Sequence, residues 1–142
     1  EHLLAETMRH LLTELSREVG GRLATAHTPR ARISAIVAGN FGGAQFRPSV
    51  ISAWLAFYLQ AQSGQTAYRL LRIYSRRLHS NLLHELCELA EREHAIRIAR
   101  GTAALIDGLW IRHALRSERP DPAAAIALVE DYVDTQLKGR LA

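Results

Sequence analysis

A single cysteine, Cys87, stands among 142 residues, so no internal disulfide is possible and a reducing compartment, the cytoplasm, is expected. No apolar run approaches the length of a membrane span. The longest, residues 50–59, is about half of what a spanning helix requires, so no membrane partner is expected. The opening Glu1-His2-Leu3-Leu4-Ala5-Glu6 has neither the basic start nor the long apolar core of a secretory leader. It also does not begin with Met, and the chain is expected to be a fragment or processed piece of something longer. Alternating apolar and polar stretches are nearly missing, which argues against strands. Lysine is almost absent: 17 of the 18 basic residues are arginines, scattered rather than gathered in one run, and they leave a net charge of +4. A basic total raises the prior for a nucleic-acid partner without locating one.

Catalytic signatures are lacking too. The seven histidines form no Ser/His/Asp order and no activated-nucleophile motif, and no glycine-rich loop follows a strand. His84 and Cys87 stand three apart, as metal ligands can, but no second pair matches them. The chain is therefore expected to be neither an enzyme nor a metal or cofactor carrier.

What is present is Leu, Ala, Arg and Glu in helical periodicity. Leu4, Met8, Leu11, Leu12, Leu15, Val19 and Leu23 draw one helix face. It passes through Gly20-Gly21, each costing about 1 kcal/mol relative to Ala and leaving a kink or an early stop open. Thr28-Pro29 is an N-cap followed by a first-turn proline, and the helix it opens buries Ile33, Ile36, Val37 and Phe41 before Gly42-Gly43 ends it. Pro48-Ser49 opens a third helix, which Ser63-Gly64 closes. Long helices are predicted over about 65–89 and 93–115. Pro120-Asp121-Pro122 is a turn that caps a last helix, and Lys138-Gly139 stops it. No repeat or linker interrupts the chain, so one all-α domain spanning 1–142 is expected.

The nine aromatics are few, and three of them, Trp54, Phe57 and Tyr58, fall at i, i+3 and i+4 of the most apolar helix. Such a stripe is a packing anchor or the wall of a ligand cavity. A second wall is Ala103-Ala104-Leu105-Ile106-Asp107-Gly108-Leu109-Trp110, where one carboxylate interrupts an apolar helix face. Aromatic faces with one acid suit an organic cation, because ring quadrupole and carboxylate both attract positive charge. A buried carboxylate must have some partner. Asp107 is thus a counter-ion beside the ring of Trp110, a partner of an arginine such as Arg76 or Arg77, or a group at a subunit seam beside Gly108. Asn40 and Asn81 are placed either to orient a ligand hydroxyl or to bond the backbone. Tyr74 is core or cavity wall. Arg69, Arg72, Arg76 and Arg77 form a basic strip, for which Glu85, Glu88, Glu91 and Glu93 offer exposed pairing worth well under about 1 kcal/mol each.

The last two long helices are apolar on two stripes, and two stripes imply burial on two sides. Paired with the same two helices of a second chain they would form a twofold four-helix bundle, a homodimer with Ile111, Leu115, Ile126, Val129, Tyr132 and Val133 at the interface.

Several stretches, in order, are similar to the TetR family of transcriptional repressors, and specifically to its choline-responsive BetI type. They are Ile36-Val37-Ala38-Gly39-Asn40-Phe41, Ala53-Trp54-Leu55-Ala56-Phe57, Tyr68-Arg69-Leu70, Ser75-Arg76-Arg77-Leu78 with Ser80-Asn81-Leu82, and residues 103–112 around Ile106-Asp107-Gly108-Leu109-Trp110. Glu6-Thr7-Met8-Arg9 resembles the first helix of that family's ligand domain. The resemblance implies an all-α C-terminal regulatory bundle that dimerises through its last two helices. It also implies control of the genes that convert choline to glycine betaine, with choline relieving repression. The candidate ligand residues become Trp54, Phe57, Tyr58, Tyr74, Asn81, Asp107 and Trp110. One departure is large: the family's helix-turn-helix domain has no room before Leu3. The chain alone is expected to be the sensor and dimerisation half, reaching operator DNA only through that missing domain. A sensor of other lipophilic cations and a ligand-free helical scaffold are the competing readings.

Overall fold

The computed structural model describes residues 2–42, 45–115, 119 and 121–139. Six helices follow in order: α1 (His2–Leu23), α2 (Pro29–Phe41), α3 (Pro48–Ala61), α4 (Gln65–Leu86), α5 (Arg92–Ala114) and α6 (Pro122–Lys138). No strand occurs among the described residues, and none of these helices is long and apolar enough to cross a membrane.

Local chemistry sets most boundaries. Thr28 Oγ1 accepts from the backbone N–H of Ala31 at 3.1 Å, and Pro29 fills the first turn where a missing N–H costs nothing. Asp121 does the same for α6, accepting from Ala124 N at 3.1 Å ahead of Pro122. Gly42 caps the end of α2; Gly43 and Pro120 lie outside the described residues. Helix α1 follows its periodicity through Gly20-Gly21 to Leu23, held by the burial of Met8, Leu11, Leu12, Leu15 and Val19. Two boundaries differ from the periodicity. Gly64 opens α4 instead of closing α3, which ends at Ala61. Helix α4 ends at Leu86, short of Leu89, where the backbone tightens into a turn with Leu89 N bonded to Leu86 O at 3.0 Å.

The helices pack so that α4 touches α2, α3 and α5, while α6 lies against α5 and α2. Two glycines allow close crossings. A Cβ on Gly39 would stand 2.7 Å from Val19 Cγ2 and 3.0 Å from its Cα, so α1 and α2 touch nearly backbone to backbone. A Cβ on Gly101 would meet the Tyr132 hydroxyl at 1.8 Å, so Tyr132 lies directly on α5. Two ionic clamps add to this. Arg32 Nε donates to Glu85 at 2.9 Å and its Nη1 to the carbonyls of Leu23 and Ala26, holding the α1–α2 connection to α4. Arg30 joins α2 to α6 through Glu130 and Asp134.

This packing corrects part of the expected interface. Val129 and Val133 are fully buried within the chain with Ala125, forming the inner stripe of α6 that packs on α5 and α2. They cannot reach a second copy. Tyr132 is only half-buried, but its ring tip is committed to Gly101. Apolar residues left outward are Ile111 on α5, Leu115 (73% exposed) at its C-cap and Leu128 (55%) on α6, while Ile126 is half-buried.

Candidate functional site: an aromatic cluster on Asp107 and a neighbouring cavity

Helix α3 carries Trp54 and Tyr58, α4 carries Tyr74, and α5 carries Asp107 and Trp110. The packing of α4 and α5 on α3 brings these five side chains together. The Trp54 ring centre is 5.1 Å from Tyr74, 5.8 Å from Trp110 and 6.2 Å from Tyr58, all in tilted or edge-on arrangements. Phe57, fully buried, meets Trp54 edge-on at 5.9 Å and extends the cluster into the core. Trp110 is anchored by its indole N–H, which donates to the Asn40 carbonyl at 3.2 Å. The indole N–H of Trp54 is buried with no acceptor. A donor withheld from water without a partner costs about 1–3 kcal/mol.

Asp107 is held by tyrosines. The Tyr74 hydroxyl donates to its Oδ1 at 2.9 Å, and the Tyr58 hydroxyl lies near enough to favour the charged carboxylate. Arg76 and Arg77, the arginines considered as partners, are exposed on α4 and take no part in holding it. Burial pushes the Asp107 carboxyl above its ordinary range, and the two hydroxyls only partly oppose this. Tyr58 and Tyr74 are both raised, first by burial and then by the nearby carboxylate. The cluster is closed: the crevice beside Trp54, Tyr58, Trp110 and Ile111 has no space for a water molecule.

The open space lies elsewhere. A cavity of about 210 Å³ is bounded by α1, α2 and α4. Its buried walls include Leu12, Leu15, Val19, Ile36, Asn40, Tyr74 and Leu78, and Ser16, Gly20, Arg77 and Asn81 stand exposed at its rim. The candidate ligand residues therefore divide. Trp54, Phe57, Tyr58, Asp107 and Trp110 belong to the closed cluster, Asn81 belongs to the cavity rim, and Tyr74 reaches both. Asn40 takes the backbone role, its Nδ2 donating to Ile36 O at 2.8 Å.

Some of the surroundings escaped the sequence reading. Phe46, in the α2–α3 connection, stacks edge-on with Phe41 at 5.1 Å, Trp110 at 5.4 Å and His113 at 4.8 Å. An isolated aromatic between glycines and a proline carries no periodic signal. The α1 side of the cavity had one available sign, a glycine inside a helix with no turn. Glu85 pairs with Arg32 rather than with the basic strip, and Arg69, Arg72, Arg76 and Arg77 are exposed. Among the described residues no group of three His, Cys, Asp or Glu side chains comes together to hold a metal ion.

Residues 29–138 match the family model described as BetI-type transcriptional repressor, C-terminal. The chain is 54% identical over 140 residues to an HTH-type transcriptional regulator BetI of Brucella canis, covering 99% of this chain and 71% of that protein. It is 53% identical over 138 residues to the protein of the same name from Agrobacterium fabrum, covering 97% of this chain and 67% of the relative. Among solved structures, a transcriptional regulator from Pseudomonas aeruginosa PAO1 superimposes with a TM-score of 0.82 at 28% identity, covering 96% of this chain and 69% of that one.

Proposed function

The chain belongs to the BetI-type transcriptional repressors of the TetR family, matching their C-terminal domain, and from that premise we propose that it is the choline-sensing and dimerising part of such a regulator. The observation that carries the choline reading is Asp107, a part-buried carboxylate that accepts from the Tyr74 hydroxyl, with Tyr74 and Tyr58 belonging to the ring cluster around Trp54 and Trp110. A trimethylammonium group between these rings would supply the positive charge that the tyrosines replace only in part. A desolvated cation–π contact contributes up to about 2 kcal/mol per ring, and the orphan Trp54 N–H offers a donor to the ligand's hydroxyl oxygen.

Because the cluster is closed, a cation can enter only if α3 and α5 part around it. That requirement is the source of regulation: a ligand shifts an equilibrium only by binding one state better than the other. Ile111 borders the crevice and also stands on the outward apolar face of α5, one residue from Trp110. Opening the rings would therefore disturb the face through which we place the dimer, formed by Ile111, Leu115 and Leu128. A coupling of about 1–3 kcal/mol would weaken operator binding roughly 5–150-fold. In this reading the domain binds and relays and performs no catalysis. It works in the cytoplasm, where the regulated DNA is, and it contacts operator DNA through a separate DNA-reading domain.

Calorimetric titration of choline, with glycine betaine as control, tests this. We expect saturable binding at one site per chain, lost in Asp107→Asn and weakened in Trp54→Phe. Absence of saturable heat together with an unmoved melting temperature at millimolar choline would remove choline as the ligand.

A further inference from the structure

Helix α4 carries charge of one sign on its outer side. From Gln65 to His84 it has four arginines, two histidines and no acid, and its first carboxylate, Glu85, is buried and bonded by Arg32. Arg69, Arg72 and Arg76 stand at i, i+3 and i+7 and so share one stripe, and all three are exposed. The opposite side of the helix, with Tyr74, Leu78 and Leu82, is buried. Ion pairs among the described residues engage Arg9 and Arg22 on α1 and Arg30 and Arg32 on α2; none engages this stripe.

The grouping works against the helix. Like charges three and four residues apart destabilise it, and an exposed face gains solubility as readily from mixed signs. The start of α5 shows that alternative, where the exposed Arg92 and Arg97 stand with Glu91 and Glu93.

A polyanion accounts for the stripe. Its three arginines span about 10 Å at about 1.5 Å per residue, the rise of about three phosphate steps along one strand of duplex DNA. A guanidinium matches phosphate because its planar fork donates two parallel hydrogen bonds. A bilayer is the poorer fit, since a helix lies on lipid by its apolar face and that of α4 is turned into the bundle. In the regulator proposed above, a separate domain holds the chain on DNA and so raises the effective concentration of duplex around this face; the choice of partner rests on that reading.

We propose that the outer face of α4 is a sequence-independent contact surface for duplex DNA, with Arg69, Arg72 and Arg76 each on a backbone phosphate. Such contacts position a protein on the duplex and carry no base information, so they add affinity to whatever the DNA-reading domain recognises.

Fluorescence anisotropy of a labelled duplex of about 24 base pairs and arbitrary sequence, titrated with the chain at about 50 to 200 mM salt, tests this. We expect affinity to fall about 40-fold over that range, the slope for three phosphates at about −0.9 each. Replacing Arg69, Arg72 and Arg76 together by Gln should abolish this binding, and replacing them together by Lys should keep the slope. Removing equal charge elsewhere, by Arg17→Gln, Arg92→Gln and Arg97→Gln at exposed positions, should leave binding unchanged. Circular dichroism and melting temperature should match the parent in every variant. Equal loss in both Gln triples, a slope lost with Lys, or no binding at the lowest salt would overturn the proposal. So would equal affinity for polyglutamate of matching charge, or preference for vesicles containing phosphatidylserine over the duplex. Asp107→Asn should bind DNA as the parent does, and the Gln triple on α4 should bind choline as the parent does, so this surface and the choline reading fail or hold separately.

Discussion

The hydroxyl of Tyr74 donates to the carboxylate of Asp107 at 2.9 Å, tying the middle of α4 to α5 beneath the ring of Trp54. Because burial raises Asp107 in the folded chain, the folded state holds that proton more tightly than the unfolded state does. The resulting stability is fully present below the ordinary carboxylate range and is lost as pH rises through the raised folded-state value. Asp107→Asn keeps an acceptor for Tyr74 and removes the titration. Denaturant unfolding should find this variant more stable than the parent at neutral pH, with the difference shrinking to nothing below about pH 4. A variant less stable than the parent at pH 7 would contradict this.

Tyr74→Phe deletes one of the two hydroxyls on a largely desolvated carboxylate. A loss of about 1–3 kcal/mol is expected at neutral pH, most of it the cost of leaving the acceptor underbonded. The loss should be smaller in the Asp107→Asn background, and a double-mutant cycle measures the coupling.

Gly39→Ala and Gly20→Ala should act in opposite directions although both replace a helical glycine. At Gly39 the new methyl strikes the Val19 backbone and side chain, and separating α1 from α2 should cost about 1–3 kcal/mol. At Gly20 nothing is in the way, so the better helix propensity of Ala should stabilise by up to about 1 kcal/mol. Midpoints of urea unfolding at unchanged slope report both.

Arg32→Ala leaves the carboxylate of Glu85, 7% exposed, without its charge partner and frees the carbonyls of Leu23 and Ala26. A destabilisation near the lower end of the buried-pair range, about 3 kcal/mol, is expected because Arg32 itself is one-third exposed. Removing both partners by Arg32→Met with Glu85→Leu should recover most of it.

Leu115→Glu with Leu128→Glu places charge on the outward apolar face of α5 and α6. If a second copy docks there, light scattering should find the mass halved, with circular dichroism unchanged. Val129→Glu should instead unfold the chain, since that side chain is fully buried within it.

The helices were legible because their signals are local. A Thr or Asp cap, a first-turn proline and apolar residues at three- and four-residue steps act within one or two turns. They place α2 and α6 nearly to the residue. At Gly20-Gly21 the apolar periodicity runs on to Leu23 while the glycines left a stop open, and burial of the Met8–Val19 face carries the helix past them. On α6 the periodicity misled. Val129 and Tyr132 belong to one apolar helix, and periodicity does not distinguish an inner stripe from an outer one. That division depends on where α2 lies, a matter settled by Arg30 reaching Glu130 across 100 positions of sequence.

The sequence by itself thus determined an all-α chain, its caps, and the presence of one acid among aromatics. Only the tertiary structure decided that Asp107 answers to two tyrosines rather than an arginine, that the rings close on one another, and that the open space lies beside Gly20 and Arg77 instead. The physical reason is range. Helix propensity and capping are governed by neighbours within a turn, whereas desolvation of a carboxylate and the volume left between helices depend on side chains brought together from five separate helices.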